Sequence, residues 1–110
     1  MKKIKTFFER EQNLLIHIIA SILVILFGIV FKISYVEWLL VSLMIMLVIV
    51  SEVINSAIEL TVDLYTSKFN SLAMIAKDTA AAAVVVSAFT AACAGMYIFL
   101  PKVIDLLRNI

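Results

Sequence analysis

Three stretches of the chain carry no Asp, Glu, Lys or Arg: Gln12 to Phe31, Trp38 to Ser51 and Thr79 to Leu100. The hydrocarbon core of a bilayer takes about 20 residues of helix. The first and third stretches are that long. The second reaches spanning length only if its helix continues through Glu52 and Glu59 to about Val62. The pattern therefore predicts an all-α membrane protein with three transmembrane helices over 12–31, 38–62 and 79–100, in a single domain over 1–110.

The second span poses the chemical question, because the uncharged run "WLLVSLMIMLVIV" leads into "SEVINSAIELTVD". At about 100° per residue, Glu52, Asn55, Ser56, Glu59 and Asp63 fall within an arc of roughly 100°, and Val53, Ile54, Ala57, Ile58 and Leu60 take the other side. From Glu52 to Asp63 the stripe climbs about 16 Å of helix axis. Asp63 reads equally well as the solvated end of a helix. Glu52 does not, since an ionisable group next to a long apolar run is costly in lipid and normally faces a bundle interior or a water-filled cavity.

Composition agrees with the spans, with 65% hydrophobic and 15% charged residues, an apolar share well above that of soluble domains. A net charge of +1 argues against a nucleic-acid partner. The basic start "MKKIKTFF" is interrupted by Glu9, Arg10 and Glu11, and no small-residue cleavage site follows the first run, so this run reads as an uncleaved anchor. Lys2, Lys3, Lys5 and Arg10 precede the first span and Lys68 and Lys77 lie between the second and third, against Lys32, Lys102 and Arg108 on the other side. That excess predicts a cytoplasmic N-terminus and second loop. The first loop, "KISYVE", places Tyr35 and Trp38 at interface height. Residues 64–78 read as a longer polar loop.

In the third span Ser87, Ala91 and Gly95 recur every fourth residue, and Ala76, Ala80 and Ala83 nearly extend the stripe. Small residues at this interval let helices approach closely in lipid. Because three helices can hide few polar side chains, the stripe is read as an oligomer interface in preference to packing within the chain. Cys93, between Ala92 and Ala94, reads as a packing residue. At the start of the first span Asn13 and His17 share a face, and His17 reads most simply as a packed, hydrogen-bonded histidine. Glu11 begins at the same membrane face as Glu59, Lys77 and Asp78.

Closely spaced carboxylates with an amide are hard oxygen ligands of the kind magnesium accepts, usually one or two carboxylates with phosphate oxygens and waters. A partly desolvated carboxylate is a good proton acceptor for a hydroxyl, and Lys77 can offset charge on a phosphoryl group. With glycine only at Gly28 and Gly95, no phosphate loop is present, so side chains would have to hold a nucleotide.

The stretch "SEVINSAIELTVD", followed by "AKDTAAAAVVV", resembles the signature of the prokaryotic diacylglycerol kinase family, E-x-x-N-[ST]-A-I-E-x-x-[VI]-D and then A-K-D-x-x-[AS]-A-[AG]-V. The similarity runs from about Phe7 to Pro101. It implies a small membrane kinase of the bacterial plasma membrane, a homotrimer with active sites between subunits at the cytoplasmic face, taking Mg2+ and ATP and phosphorylating a membrane lipid alcohol. On this resemblance Glu52 is the general base, and Glu11 and Glu59 coordinate the metal and approach the phosphates. Asn55, Asp63, Lys77 and Asp78 surround the ATP, and Glu52 and Asn13 are expected on the lipid side. Glu11, Asn13 and His17, with "EWLL" and "IFLP", look more like the Gram-positive branch, whose acceptor is undecaprenol; diacylglycerol is the alternative. Relatives carry an amphipathic surface helix before the first span, which predicts a shortened surface segment here. A small ion pathway and a structural membrane subunit are the competing classes. Against the first, the carboxylates cluster at one face; against the second stands the fixed spacing of Glu52, Asn55, Glu59, Lys77 and Asp78.

Overall fold

The computed structural model describes residues 11–66, 68 and 70–110. The expected surface segment and four of the basic residues that set the orientation, Lys2, Lys3, Lys5 and Arg10, lie outside the described residues. Three helices follow in chain order: α1 (Gln12–Phe31), α2 (Tyr35–Tyr65) and α3 (Ser71–Arg108). All three are long and apolar enough to cross a membrane.

The turn between α1 and α2 is short because both helix ends are satisfied locally. Lys32 adopts a left-handed conformation with φ 52°, and the backbone N–H groups of Lys32 and Ile33 donate to the carbonyls of Ile29 and Gly28, closing the last turn of α1. Ser34 then starts α2 with a reciprocal pair: its Oγ accepts from the Glu37 backbone N–H at 3.2 Å, and Glu37 Oε1 accepts from the Ser34 N–H at 3.0 Å, a capping box. Gly28 makes the return possible. A Cβ there would lie 2.7 Å from Trp38 Cη2, so Trp38 folds back over the glycine while Tyr35 stays exposed.

At 31 residues α2 is about 46 Å long, more than the ~30 Å hydrocarbon core; the excess brings its polar end to a membrane surface. The second loop is shorter than the expected 64–78. Asn70 caps α3, its Oδ1 accepting from the N–H groups of Leu72 and Ala73 at 2.9 and 3.2 Å, so the helix begins at Ser71 and contains Lys77 and Asp78. At the other end α3 runs through Pro101. Proline removes one backbone donor, but in the next position Lys102 Nζ donates to the Ile98 carbonyl at 3.2 Å and to Glu37 Oε2 at 2.7 Å. That ion pair binds α3 to the start of α2.

α2 lies between its neighbours and packs along both, more extensively on α3. The apolar core, Ile33, Val41 and Ile98 with Val24, Trp38 and Ile45 against them, sits at the first-loop end. There α1 also meets α3 through the Phe31 and Phe99 rings, 6.2 Å apart at 60°. Outward faces expose large apolar residues such as Ile16, Leu26, Val30, Leu39, Phe89 and Met96, as lipid requires. The small-residue stripe is used inside the chain at Ala80 and Ser87, which are buried. Cys93 is exposed rather than packed; it points away from the side on which Ala91, Ala94 and Ile98 face the other helices.

Candidate active site

Along α2 the buried positions Val41 and Val48 are followed at the same seven-residue interval by Asn55, with Glu52 and Ser56 beside it. The seam that is apolar at one end of the helix thus becomes polar at the other without changing face. Val53, Ile54 and Ala57 are exposed, so this end of α2 is inverted relative to a soluble helix. Such an arrangement is stable only where lipid takes the apolar side and the polar groups satisfy one another.

Glu52 is 3% exposed, and a buried carboxylate needs a partner. His17 supplies one from α1, its Nε2 3.6 Å from Glu52 Oε2. Glu11 stands at the N-terminus of α1, where the helix dipole favours a carboxylate. Its side chain does not cap that helix; instead Glu11 Oε2 accepts a 2.6 Å hydrogen bond from Ser56 Oγ. Asn55 Nδ2 donates to Glu59 Oε1 at 3.3 Å, while Asn55 Oδ1 is buried and has no partner. Glu11 and Glu59 both lie close enough to Glu52 for their charges to bear on it. The structure therefore gathers Glu11, Glu52, Asn55 and Glu59 at one end of the α1–α2 pair.

Glu11, Glu59 and the orphaned amide oxygen of Asn55 are oxygen groups of the kind a hard cation accepts. Among the described residues no three His, Cys, Asp or Glu side chains converge tightly enough to hold a metal by themselves.

Asp63 and Lys77 form a second group. Lys77 Nζ donates to Asp63 Oδ1, and the pair lines a recess of about 270 Å³ with Lys68, Asn70 and Met74, about 16 Å from Glu52 along the axis of α2. Asn13 and Asp78 are exposed, as are Glu59 and Asp63. Toward the membrane interior lies a cleft of about 280 Å³ between the three helices, with His17, Ser21, Val48, Ala91 and Gly95 in its wall. The His17–Glu52 pair and the Ser56–Glu11 bond are not among the expectations from sequence. Ser56 stands on the predicted arc with Glu52, but its bond to Glu11, like the histidine pair, is set by the crossing of α1 over α2.

An all-helical membrane protein with a carboxylate-lined site at one end of its spans is the class that fold and site define. Comparison with known proteins makes this specific. The sequence model of the family described as prokaryotic diacylglycerol kinase matches residues 1–99. An undecaprenol kinase from Bacillus subtilis (strain 168) is 42% identical over 92 residues, 84% of this chain and 75% of that protein. The chain belongs to the prokaryotic diacylglycerol kinase family, and is an ATP-dependent lipid kinase. No solved structure matches it.

Proposed function

We propose that the protein transfers the γ-phosphoryl group of ATP to the hydroxyl of undecaprenol, giving undecaprenyl phosphate, at the cytoplasmic face of the plasma membrane. The observation that carries the chemistry is the burial of Glu52 beside His17, with Glu11, Asn55 and Glu59 around it. Glu52 takes the proton of the acceptor hydroxyl as its oxygen attacks the γ-phosphorus; the bond to the β-phosphate bridging oxygen breaks, and ADP leaves. Catalysis of this kind is positioning plus electrostatics.

Glu11, Glu59 and the unpartnered Asn55 Oδ1 are the groups that would hold Mg2+, which when bound offsets the charge on the phosphoryl oxygens. Lys77 exchanges Asp63 for phosphate, with Asp78 in the next position, and Asn13 faces the lipid headgroup. The exposure of Glu59 and Asp63 in the single chain supports a homotrimer whose subunits complete each other's sites. The excess of Lys and Arg in the N-terminal segment and second loop supports a cytoplasmic site.

Diacylglycerol is the second acceptor, on the description of the family. Undecaprenol is favoured by the name of the 42% identical relative and by the Glu11, Asn13, His17 spacing. An ion pathway is disfavoured because no Asp, Glu, Lys or Arg stands in α3 between Asp78 and Lys102. The test is transfer of radiolabelled γ-phosphate to undecaprenol and to diacylglycerol side by side, with Glu52→Gln as control. Labelled undecaprenyl phosphate from the wild type alone supports the proposal; preferential labelling of diacylglycerol refutes the acceptor, and no labelling of either refutes the activity.

A further inference from the structure

The cleft between the three helices starts beside the buried carboxylate. His17, whose Nε2 stands 3.6 Å from Glu52 Oε2, lines it together with Val48, four residues or about 6 Å from Glu52 along α2. From there it runs toward the first-loop end as far as Val41 and Ile98, both buried. Packed against these two, the Phe31 and Phe99 rings close the gap between α1 and α3, their centres 6.2 Å apart. The cleft is therefore blind at one end. Its volume of about 280 Å³ lies near the lower end for ligand pockets, ~300–1,000 Å³. Gly95 lies in its α3 wall, and a Cβ there would meet nothing within 4 Å. Glycine weakens a helix interior and is used in lipid where helices touch, yet among the described residues no other helix comes that close here.

Resting on the kinase reading above, we propose that this cleft takes the first isoprene units of a polyprenol whose hydroxyl lies at Glu52, and that Gly95 keeps it open for them and so selects a prenol over diacylglycerol. Shape and chemistry both point to this occupant. A helix of a second copy runs the length of the span, and the closed end leaves no course for it. A single flexible chain enters beside Glu52, and the rest of it lies in the surrounding lipid. Beyond its hydroxyl a polyprenol carries only carbon and hydrogen, whereas diacylglycerol carries two ester carbonyls, and two diverging chains, within a few bonds of the hydroxyl. Those carbonyls would lack donors here. Ser21 already donates its hydroxyl to the His17 carbonyl at 2.7 Å, His17 faces Glu52, and the rest of the wall is apolar. Burying a carbonyl without a donor is costly. The Glu37–Lys102 and Asp63–Lys77 pairs set an antiparallel register in which Gly95 stands level with Met44 of α2, about 12 Å from Glu52. A side chain at position 95 therefore meets the prenyl chain and not the reacting hydroxyl.

The experiment measures phosphoryl transfer by the full chain, with magnesium and ATP, to undecaprenol and to diacylglycerol in mixed micelles. It compares the wild type, Gly95→Ala, Gly95→Leu and, as a control of equal bulk at an exposed position of α3, Cys93→Leu, with the oligomeric state of each in detergent. Expected is a KM for undecaprenol that rises with the size of the side chain at position 95, by about 10–100-fold in Gly95→Leu. The kcat at saturating undecaprenol, KM for ATP and oligomeric state should stay at wild-type values, which shows that the variants are folded. Cys93→Leu should match the wild type, and transfer to diacylglycerol should not respond to Gly95→Leu. A wild-type KM for undecaprenol in Gly95→Leu overturns the inference and leaves the kinase reading standing. An equal rise for diacylglycerol also overturns it, since the cleft then selects nothing. So does a changed oligomeric state with KM for ATP disturbed, which is what a second copy seated on this face produces. Absence of transfer by the wild type to either lipid overturns the kinase reading and this inference together.

Discussion

Ser56 and Glu11, 45 residues apart in the chain, are joined by a 2.6 Å hydrogen bond from the serine hydroxyl to the glutamate Oε2. This bond aims a carboxylate that would otherwise be free at the start of α1, and it fixes the position of α1 against the polar end of α2. Ser56→Ala leaves a buried carboxylate oxygen without its donor, which costs about 1–3 kcal/mol. The expected outcome is a lower unfolding temperature in detergent and a raised KM for magnesium-ATP. Wild-type values of both would show that Glu11 is not held by Ser56.

Gly28 and Trp38 set the other end. A methyl group at position 28 would meet Trp38 Cη2 at 2.7 Å and Ile33 Cδ1 at 3.1 Å, and neither the rigid indole nor the buried isoleucine can yield freely. Gly28→Ala should therefore destabilise the protein by about 1–3 kcal/mol through overpacking. Trp38 is the sole tryptophan, so its emission reports the displacement directly, and adding Trp38→Leu to Gly28→Ala should recover part of the lost stability. An unshifted emission spectrum in Gly28→Ala would count against the close packing of this turn.

The three helices were legible in the sequence from the lengths of the uncharged runs, and the inward polar face of α2 from the spacing of its polar residues. Glu52, Asn55 and Ser56 are buried and Val53, Ile54 and Ala57 exposed, as the angular arithmetic requires, while Glu59 and Asp63, on the same arc nearer the end of α2, are exposed. The start of α3 was not legible, since the polar run before Lys77 looks like loop until Asn70 is seen to cap a helix. Nor was its continuation beyond Pro101, where the loss of one backbone donor is a local cost that the packing of Lys102 on Glu37 offsets. The small-residue stripe shows the interval at which helices approach but not which helix approaches. The His17–Glu52 pair depends on how two helices cross, and spacing within one helix carries no information about that.

The Lys102–Glu37 pair, at 2.7 Å, joins α3 beyond Pro101 to the first turn of α2. Both side chains are about one-quarter exposed, so the pair contributes modestly, which a double-mutant cycle between Lys102→Met and Glu37→Gln measures. Glu37 also closes the capping box with Ser34, a role that glutamine retains, so Glu37→Gln removes the ion pair and leaves the cap in place. Amide hydrogen exchange should quicken over residues 102–108 in Lys102→Met while α1 is unaffected. No change in exchange there would mean that the helix beyond Pro101 holds itself.

Asn55 separates stability from function. Its Oδ1 is buried without a partner, an arrangement that costs stability until a water, a ligand or a neighbouring subunit completes it. Asn55→Leu removes that unpaired oxygen together with the 3.3 Å bond to Glu59, and fills the space with an apolar group of similar size. Exchange of this kind is nearly neutral or stabilising. Activity should move the other way: with Glu59 no longer oriented and one oxygen donor gone, the magnesium concentration needed for half-maximal transfer should rise about 10–100-fold, while unfolding in detergent occurs at or above the wild-type temperature. A variant that unfolds much earlier yet keeps the wild-type magnesium requirement would show that Asn55 serves the fold and not the cation.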